Sequence, residues 1–200
     1  MTIYRPDELL ALVLFATVGS FTPGPNNAIA LAVGANLGWR RVLPHALGVM
    51  AGFSAMLGLA AAGAVGIVLA VPGGTQLLRA GGIAYLLWLA WRVARSGPVT
   101  DPGGGPAPSV AQSALLQFVN VKAWMLVAAV ASTWFLQAEH ALPRVVVACV
   151  VFAALCAASI VLWAGLGQSL QRWLAHGARL RAFNVAMGVV LAASALAMLR

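Results

Sequence analysis

Two long apolar stretches of this chain are each interrupted near the centre, the first by Pro23-Gly24-Pro25-Asn26-Asn27 and the second by Asn120-Val121-Lys122. A soluble fold has little reason to bury a lysine and three asparagines in this way. In a membrane, such breaks are tolerated where the freed backbone faces other protein or a water-filled cavity. Corresponding breaks in the two halves of a chain point to a transporter's binding site.

Composition identifies the solvent. Of 200 residues, 62% are hydrophobic and 8% charged, whereas a soluble domain carries about 25% charged residues. The chain lacks the charge to cover a water-facing surface, so its partner over most of that surface is the lipid bilayer. A spanning helix needs roughly 20 apolar residues. Six fit, at 8–37, 44–71, 75–91, 110–136, 143–168 and 182–199. The predicted fold is an all-α membrane protein of six transmembrane helices, arranged as two inverted three-helix halves. Helices one and four are broken near the midplane. Residues 1–95 form the first half, the Gly/Pro-rich 96–109 a cytoplasmic linker and 110–200 the second half, within one integral membrane domain. Three spans per half is odd, so the halves enter the membrane in opposite directions. Asn26 lies 14 residues before Arg40, and Asn120 lies 11 after Ser109. These separations are roughly 21 and 17 Å along a helix, which puts both breaks near the centre of a core about 30 Å thick.

The N-terminus is not a signal peptide by its residues. Arg5, Asp7 and Glu8 make no positive leader, and Pro6-Asp7-Glu8 reads as a helix start with acids at the positive dipole end. The net charge of +8 would suggest nucleic acid on a soluble protein, but its distribution argues otherwise. Loops one, three and five carry Arg40, Arg41, Arg92, Arg95, Arg172, Arg179 and Arg181. The opposite side has Arg5, Arg79, Arg144 and Arg200 beside Asp7, Glu8 and Glu139. The positive-inside rule places the odd loops in the cytoplasm and both termini outside. Trp39, Trp88, Trp91 and Trp173 fall near the same interface, and Tyr85 joins that belt. No nucleic-acid partner is expected.

Pro23 and Pro25 disfavour helix before them, and Gly24 permits unusual backbone angles. A second half-helix then starts near Asn26, its positive end and free amides suited to a carboxylate. The same residues also fit a packed kink in which Asn26 and Asn27 only cap the helix. Lys122 is the only lysine, and no Asp or Glu is predicted at its depth. Its partner is an asparagine oxygen, the carbonyls freed by the Pro-Gly-Pro break or a substrate carboxylate. Ser113, Gln117 and Asn120 share one helix face, as an access path from the cytoplasm or as interhelical hydrogen bonding. Gly48, Gly52 and Gly58 suggest close helix packing. Cys149 and Cys156, about 10 Å apart along one helix, read as packing residues. His45, His140 and His176 lie near loops without clustering. The chain has no phosphate loop, dinucleotide fingerprint, zinc motif or nucleophile elbow. No catalytic residue, metal or cofactor is therefore assigned.

Thr22-Pro23-Gly24-Pro25-Asn26-Asn27, followed by Ile29-Ala30-Leu31, resembles the signature of the LysE/RhtB amino-acid exporter family. Gly38-Trp39-Arg40-Arg41 and Ala84-Tyr85-Leu86-Leu87-Trp88-Leu89-Ala90-Trp91 fit the same family. Leu116-Gln117-Phe118-Val119-Asn120-Val121-Lys122 is similar to its cysteine/O-acetylserine branch, with Val121 where the family usually has proline. The resemblance implies six helices and export of amino acids from the bacterial cytoplasm across the inner membrane, driven by protons. It implies substrate-binding positions at Pro23, Gly24, Pro25, Asn26, Asn27, Asn120 and Lys122, to which the polar stripe adds Gln117. A homo-oligomer is compatible with it. Many relatives carry an acid in the fifth helix, and this chain has none between 143 and 168. Lys122 is thus the only strongly titratable group predicted at mid-membrane. A membrane enzyme would need a constellation that is missing here. A non-transporting scaffold or assembly protein would tolerate exchange of Asn120 and Lys122.

Overall fold

The computed structural model describes residues 3–63, 74–95, 107–135, 141–174 and 178–197. Among them the regular elements are helical, with no strand. The first broken span is α1 (Pro6–Phe21) and α2 (Pro25–Leu37). After a 3-10 turn at Trp39–Val42 come α3 (Leu43–Ala61) and α4 (Gly74–Ala94). The second broken span is α5 (Val110–Val119) and α6 (Val121–Val130), continued by a π-helical turn at Ala131–Phe135. The chain ends with α7 (Ala141–Ser169), the short α8 (Gln171–Leu174) and α9 (Arg179–Ala197).

Both expected breaks are present, bent by 53° between α1 and α2 and by 70° between α5 and α6. Two helices, Trp39–Ala61 and Ala141–Ser169, are long and apolar enough to cross a membrane, and each bent pair qualifies when taken as one span. That makes four. α4 and α9 form where spans three and six were expected but do not reach that mark among the described residues. Gln76, Arg79 and Arg92 interrupt α4, and Arg179, Arg181 and Asn184 begin α9. The end of the expected second span and most of the 96–109 linker lie outside the described residues, as do Asp101, Glu139, His140, His176 and Arg200.

Local chemistry sets the helix starts. Pro6 stands in the first turn of α1, and the Glu8 carboxylate accepts from the Arg5 amide at 3.0 Å. At α5, Ser109 Oγ accepts from the Gln112 amide at 3.2 Å while Gln112 Oε1 accepts from the Ser109 amide at 3.0 Å.

α1, α2 and α7 run side by side in the same direction. Arg144 bonds Glu8 at 3.2 Å near their starts, and the Trp39 amide donates to Gln168 Oε1 at 2.7 Å near their ends. α3 and α5 are likewise parallel, and α4 packs on α9. Small residues permit the closest approaches. A side chain at Gly167 would strike the Leu31 carbonyl and the Ala35 amide, and one at Gly48 the Val110 carbonyl. Gly52 faces the Ala114 backbone, whereas Gly58 faces open space. The expected packing role therefore holds for Gly48 and Gly52 and fails for Gly58.

The surface is that of a protein in lipid. Leu10, Leu14 and Val18 are exposed along α1, as are Leu142, Val146, Val150 and Leu162 along α7. Four arginines stack over tryptophans: Arg40 on Trp39, Arg92 on Trp88, Arg95 on Trp91 and Arg179 on Trp173, at 4.9–5.7 Å from the ring centre. Each pair couples an interfacial ring to a basic residue of the charge-rich loops.

Candidate functional site

Each break is built differently. Pro25 starts α2 and Gly24 caps it, with φ −179° and ψ 179°. That backbone is extended, so the expected need for an unusual glycine angle does not arise. Gly24 serves close approach instead: a Cβ there would stand 3.1 Å from Lys122 Cδ and 3.2 Å from Nζ. In the second break Val121 does not bend the chain as proline would. Asn120 leaves helical geometry at φ −91°, ψ 106°, and its Oδ1 accepts from the Lys122 amide at 3.1 Å. A side-chain cap thus substitutes for the missing proline.

Asn27 knits the first break together. Its Nδ2 donates to Ser20 O at 2.8 Å and Thr22 O at 2.9 Å. Ser159 of α7 donates from Oγ to Ser20 O at 2.8 Å and lies 3.3 Å from Asn27 Oδ1. Asn27 and Ser159 are both buried, so carbonyls released by the end of α1 are satisfied inside the protein, as a membrane requires. Trp124 does the same for α5, donating from Nε1 to Phe118 O at 2.7 Å.

Asn26 and Gln117 join the two broken spans as a reciprocal amide pair. Asn26 Nδ2 donates to Gln117 Oε1 at 2.9 Å, and Gln117 Nε2 lies 3.3 Å from Asn26 Oδ1. Gln117 Nε2 also donates to Ser113 O at 2.8 Å. Lys122 crosses from α6 to the first break. Its Nζ donates to Thr22 O at 2.8 Å and Thr22 Oγ1 at 2.9 Å, with Pro23 O at 3.5 Å. Of the three partners expected for Lys122, the freed carbonyls are the ones it meets, joined by the Thr22 hydroxyl.

An open pocket lies between the breaks. Gly24, Pro25, Asn26, Asn27, Gln117, Asn120 and Lys122 all line it; Pro23 does not, and enters only through its carbonyl near Lys122. Val49, Phe53, Ala123, Leu126 and Ile160 supply an apolar wall. The amides of Asn26 and Asn27 fall in the first turn of α2, where helix geometry gives them no acceptor of their own. Among the described residues, no carboxylate lines the pocket and no group of three metal-ligating side chains occurs.

Several participants escaped the sequence reading. Ser20 and Cys156 line the pocket and approach each other at 3.4 Å, so Cys156 is more than a packing residue. Thr22 and Ser159 complete the first break. His45, expected near a loop, is fully buried, bonding Ser113 Oγ at 2.9 Å and Asn26 O at 3.3 Å. A lone Ser or His within an apolar helix was the available signal.

Comparison with known proteins agrees with this geometry. Residues 17–200 match the family described as LysE type translocator. The cysteine/O-acetylserine efflux proteins of Salmonella choleraesuis and Salmonella typhimurium are each 34% identical over 175 residues, 87% of this chain and 89% of theirs. That of Escherichia coli (strain K12) is 34% identical over 168 residues, 84% of this chain and 86% of the relative. No solved structure matches. These relatives are efflux proteins and not enzymes. With its apolar helices and two broken spans, this chain is a multi-pass membrane protein that belongs to the LysE type translocator family.

Proposed function

We propose that this protein exports small neutral amino acids of the cysteine or O-acetylserine type across the bacterial inner membrane, in exchange for protons. The observation that carries the reading is the pocket between two helix breaks, lined on one side by amides and a lysine and on the other by apolar side chains. A zwitterion fits both sides. Its carboxylate takes the first-turn amides of α2, where the helix dipole favours an anion, together with one Lys122 proton. The long 3.5 Å contact with Pro23 O marks the donor most easily given up. The substrate ammonium meets the Asn26 and Gln117 oxygens, and a short side chain lies against Val49, Phe53 and Ile160. The names of the relatives support this substrate class.

Six spans as an inverted repeat remain part of this proposal. Its support is the packing order: span one lies on span five and span four on span two, while spans two and five, and three and six, pair with each other. Exchanging the halves leaves that order unchanged.

The test is efflux from proteoliposomes with cysteine, O-acetylserine, threonine, lysine and arginine. Cysteine or O-acetylserine is expected to leave fastest, because the described residues of the pocket offer no carboxylate to a cationic side chain. Robust lysine efflux without either would sink the proposal.

A further inference from the structure

The polar stripe of α5 continues behind the pocket into a layer that the binding site does not use. His45 and Ser113 are both fully buried, and neither lines the pocket. Ser113 stands one helical turn before Gln117, which does. The His45–Ser113 layer therefore closes the pocket at the end where α2 stops and α3 and α5 begin. That end is also the tighter of the two. α2 on α7 and α5 on α3 make the more extensive contacts, with backbones meeting at Gly34, Gly167, Gly48 and Gly52, while α1 on α7 and α6 on α3 make fewer. In an inverted repeat this inequality marks which end is shut.

The His45 ring bridges three elements from its place on α3. A carbonyl only accepts, so Nε2 carries the hydrogen and donates to Asn26 O, and Nδ1 accepts from the Ser113 hydroxyl. A second proton on Nδ1 needs no movement of the ring: Ser113 Oγ turns to accept, and its own hydrogen goes to a carbonyl of the preceding turn. Asn26 O accepts in both states. Among the described residues the charged ring nevertheless finds no anion. α2 presents Asn26, and α5 presents neutral Ser113 and Gln117. α6 brings the Lys122 ammonium and α7 the Cys156 thiol to the pocket beyond. Arg40 and Arg41 are exposed on the turn before α3, and among the described residues the acids Asp7 and Glu8 lie near the start of α1, at the opposite end. A buried imidazolium here is therefore costly, and water relieves the cost. The proton favours the state in which this layer has parted.

We propose that His45 is the proton-binding latch of the pocket: neutral, it ties α2 to α5 across α3; protonated, it releases them and opens the pocket at that end. Its part in exchange rests on the exporter reading. The protonated form opens toward the cytoplasm, sheds the proton there and admits substrate, whose ammonium at the Asn26–Gln117 pair then opposes reprotonation.

Two spin labels test the latch, on cysteines replacing Arg41 and Ala111 in protein lacking Cys149 and Cys156, reconstituted in lipid. With His45 present, the population at the longer label distance should rise several-fold between about pH 8 and about pH 5, the window in which histidine changes charge. His45→Gln keeps a donor for Asn26 O and an acceptor for Ser113, and should hold the short distance throughout. Ser113→Ala removes the Nδ1 bond and should show the longer distance already at the higher pH. An unchanged distance with His45 present, or the same rise in His45→Gln, would overturn the latch. The distances require no transport, so a wild type that moves no amino acid in the flux assay counts against the exporter reading alone.

Discussion

Lys122 ties the two breaks together while standing in the pocket, and that double position makes it the residue most exposed to test. Lys122→Met keeps the length of the stem and removes the charge. Removing a partly buried ammonium relieves its desolvation cost, which offsets the loss of its bonds to the Thr22 oxygens. Membrane abundance should therefore be near normal while efflux per folded protein is lost. Lys122→Arg should also transport poorly, because a planar fork does not fit where a compact ammonium meets three oxygens. Normal efflux by Lys122→Met would leave the lysine structural. Asn27 contrasts with it. Its two carbonyl partners are tied inside the protein, and Asn27→Ala should destabilise the fold by about 2–4 kcal/mol, read as a lower melting temperature in detergent. At this scale the sequence was legible where a residue is out of place in an apolar run, as with Lys122, Asn26 and Asn120. It was silent on Thr22, Ser159 and His45, because small or isolated polar residues are common in packed membrane helices. Their role comes from which helices meet, and one sequence does not state that.

The elements were read well where backbone chemistry decides them. Proline broke the first span as expected, and the second broke without proline because Asn120 caps its own successor helix. Glycine spacing alone did not show which glycines touch another helix. Gly167→Ala would put a methyl on the Leu31 carbonyl and should destabilise by about 1–3 kcal/mol or more. Gly58→Ala meets nothing and should stabilise α3 by about 0.5–1 kcal/mol. Thermal unfolding of the two variants side by side separates the readings, and equal melting temperatures would refute the crossing. The starts of α1 and α7 are joined by Tyr4, whose hydroxyl donates to Arg144 O at 3.1 Å beneath the Arg144 guanidinium. Burial raises its pKa from 10.0 to about 12, with Arg144 opposing and Glu8 adding to the rise. The unfolded chain thus loses this proton first, and stability present below pH 10 falls as pH rises from 10 to about 12. Tyr4→Phe should flatten that alkaline loss of melting temperature, and an unchanged slope would exclude Tyr4 as its source.

The whole molecule has two unlike ends. One holds Tyr4, Arg5, Asp7, Glu8 and Arg144, where acids and bases pair. The other gathers the stacked pairs of Arg40 on Trp39, Arg92 on Trp88, Arg95 on Trp91 and Arg179 on Trp173, among described loops without an acid. If each crosses, parallel packing of α1 and α2 with α7 requires an odd number of crossings between the first broken span and α7, as the three between spans one and five of a six-span order supply. Basic residues without acids are retained on the cytoplasmic side, so the arginine-rich end should face inward and both termini outward. α5 starts at Ser109, beside Gly48 near the start of α3, so position 104 should be reached from the inward side. Gly104→Cys, in protein lacking Cys149 and Cys156, should therefore resist a membrane-impermeant thiol reagent in intact cells and react once the membrane is opened. Thr2→Cys should react in intact cells. Labelling of position 104 from outside would invert the molecule. The latch end of the pocket would then face away from the cytoplasm, and the direction of exchange assigned to His45 would reverse with it.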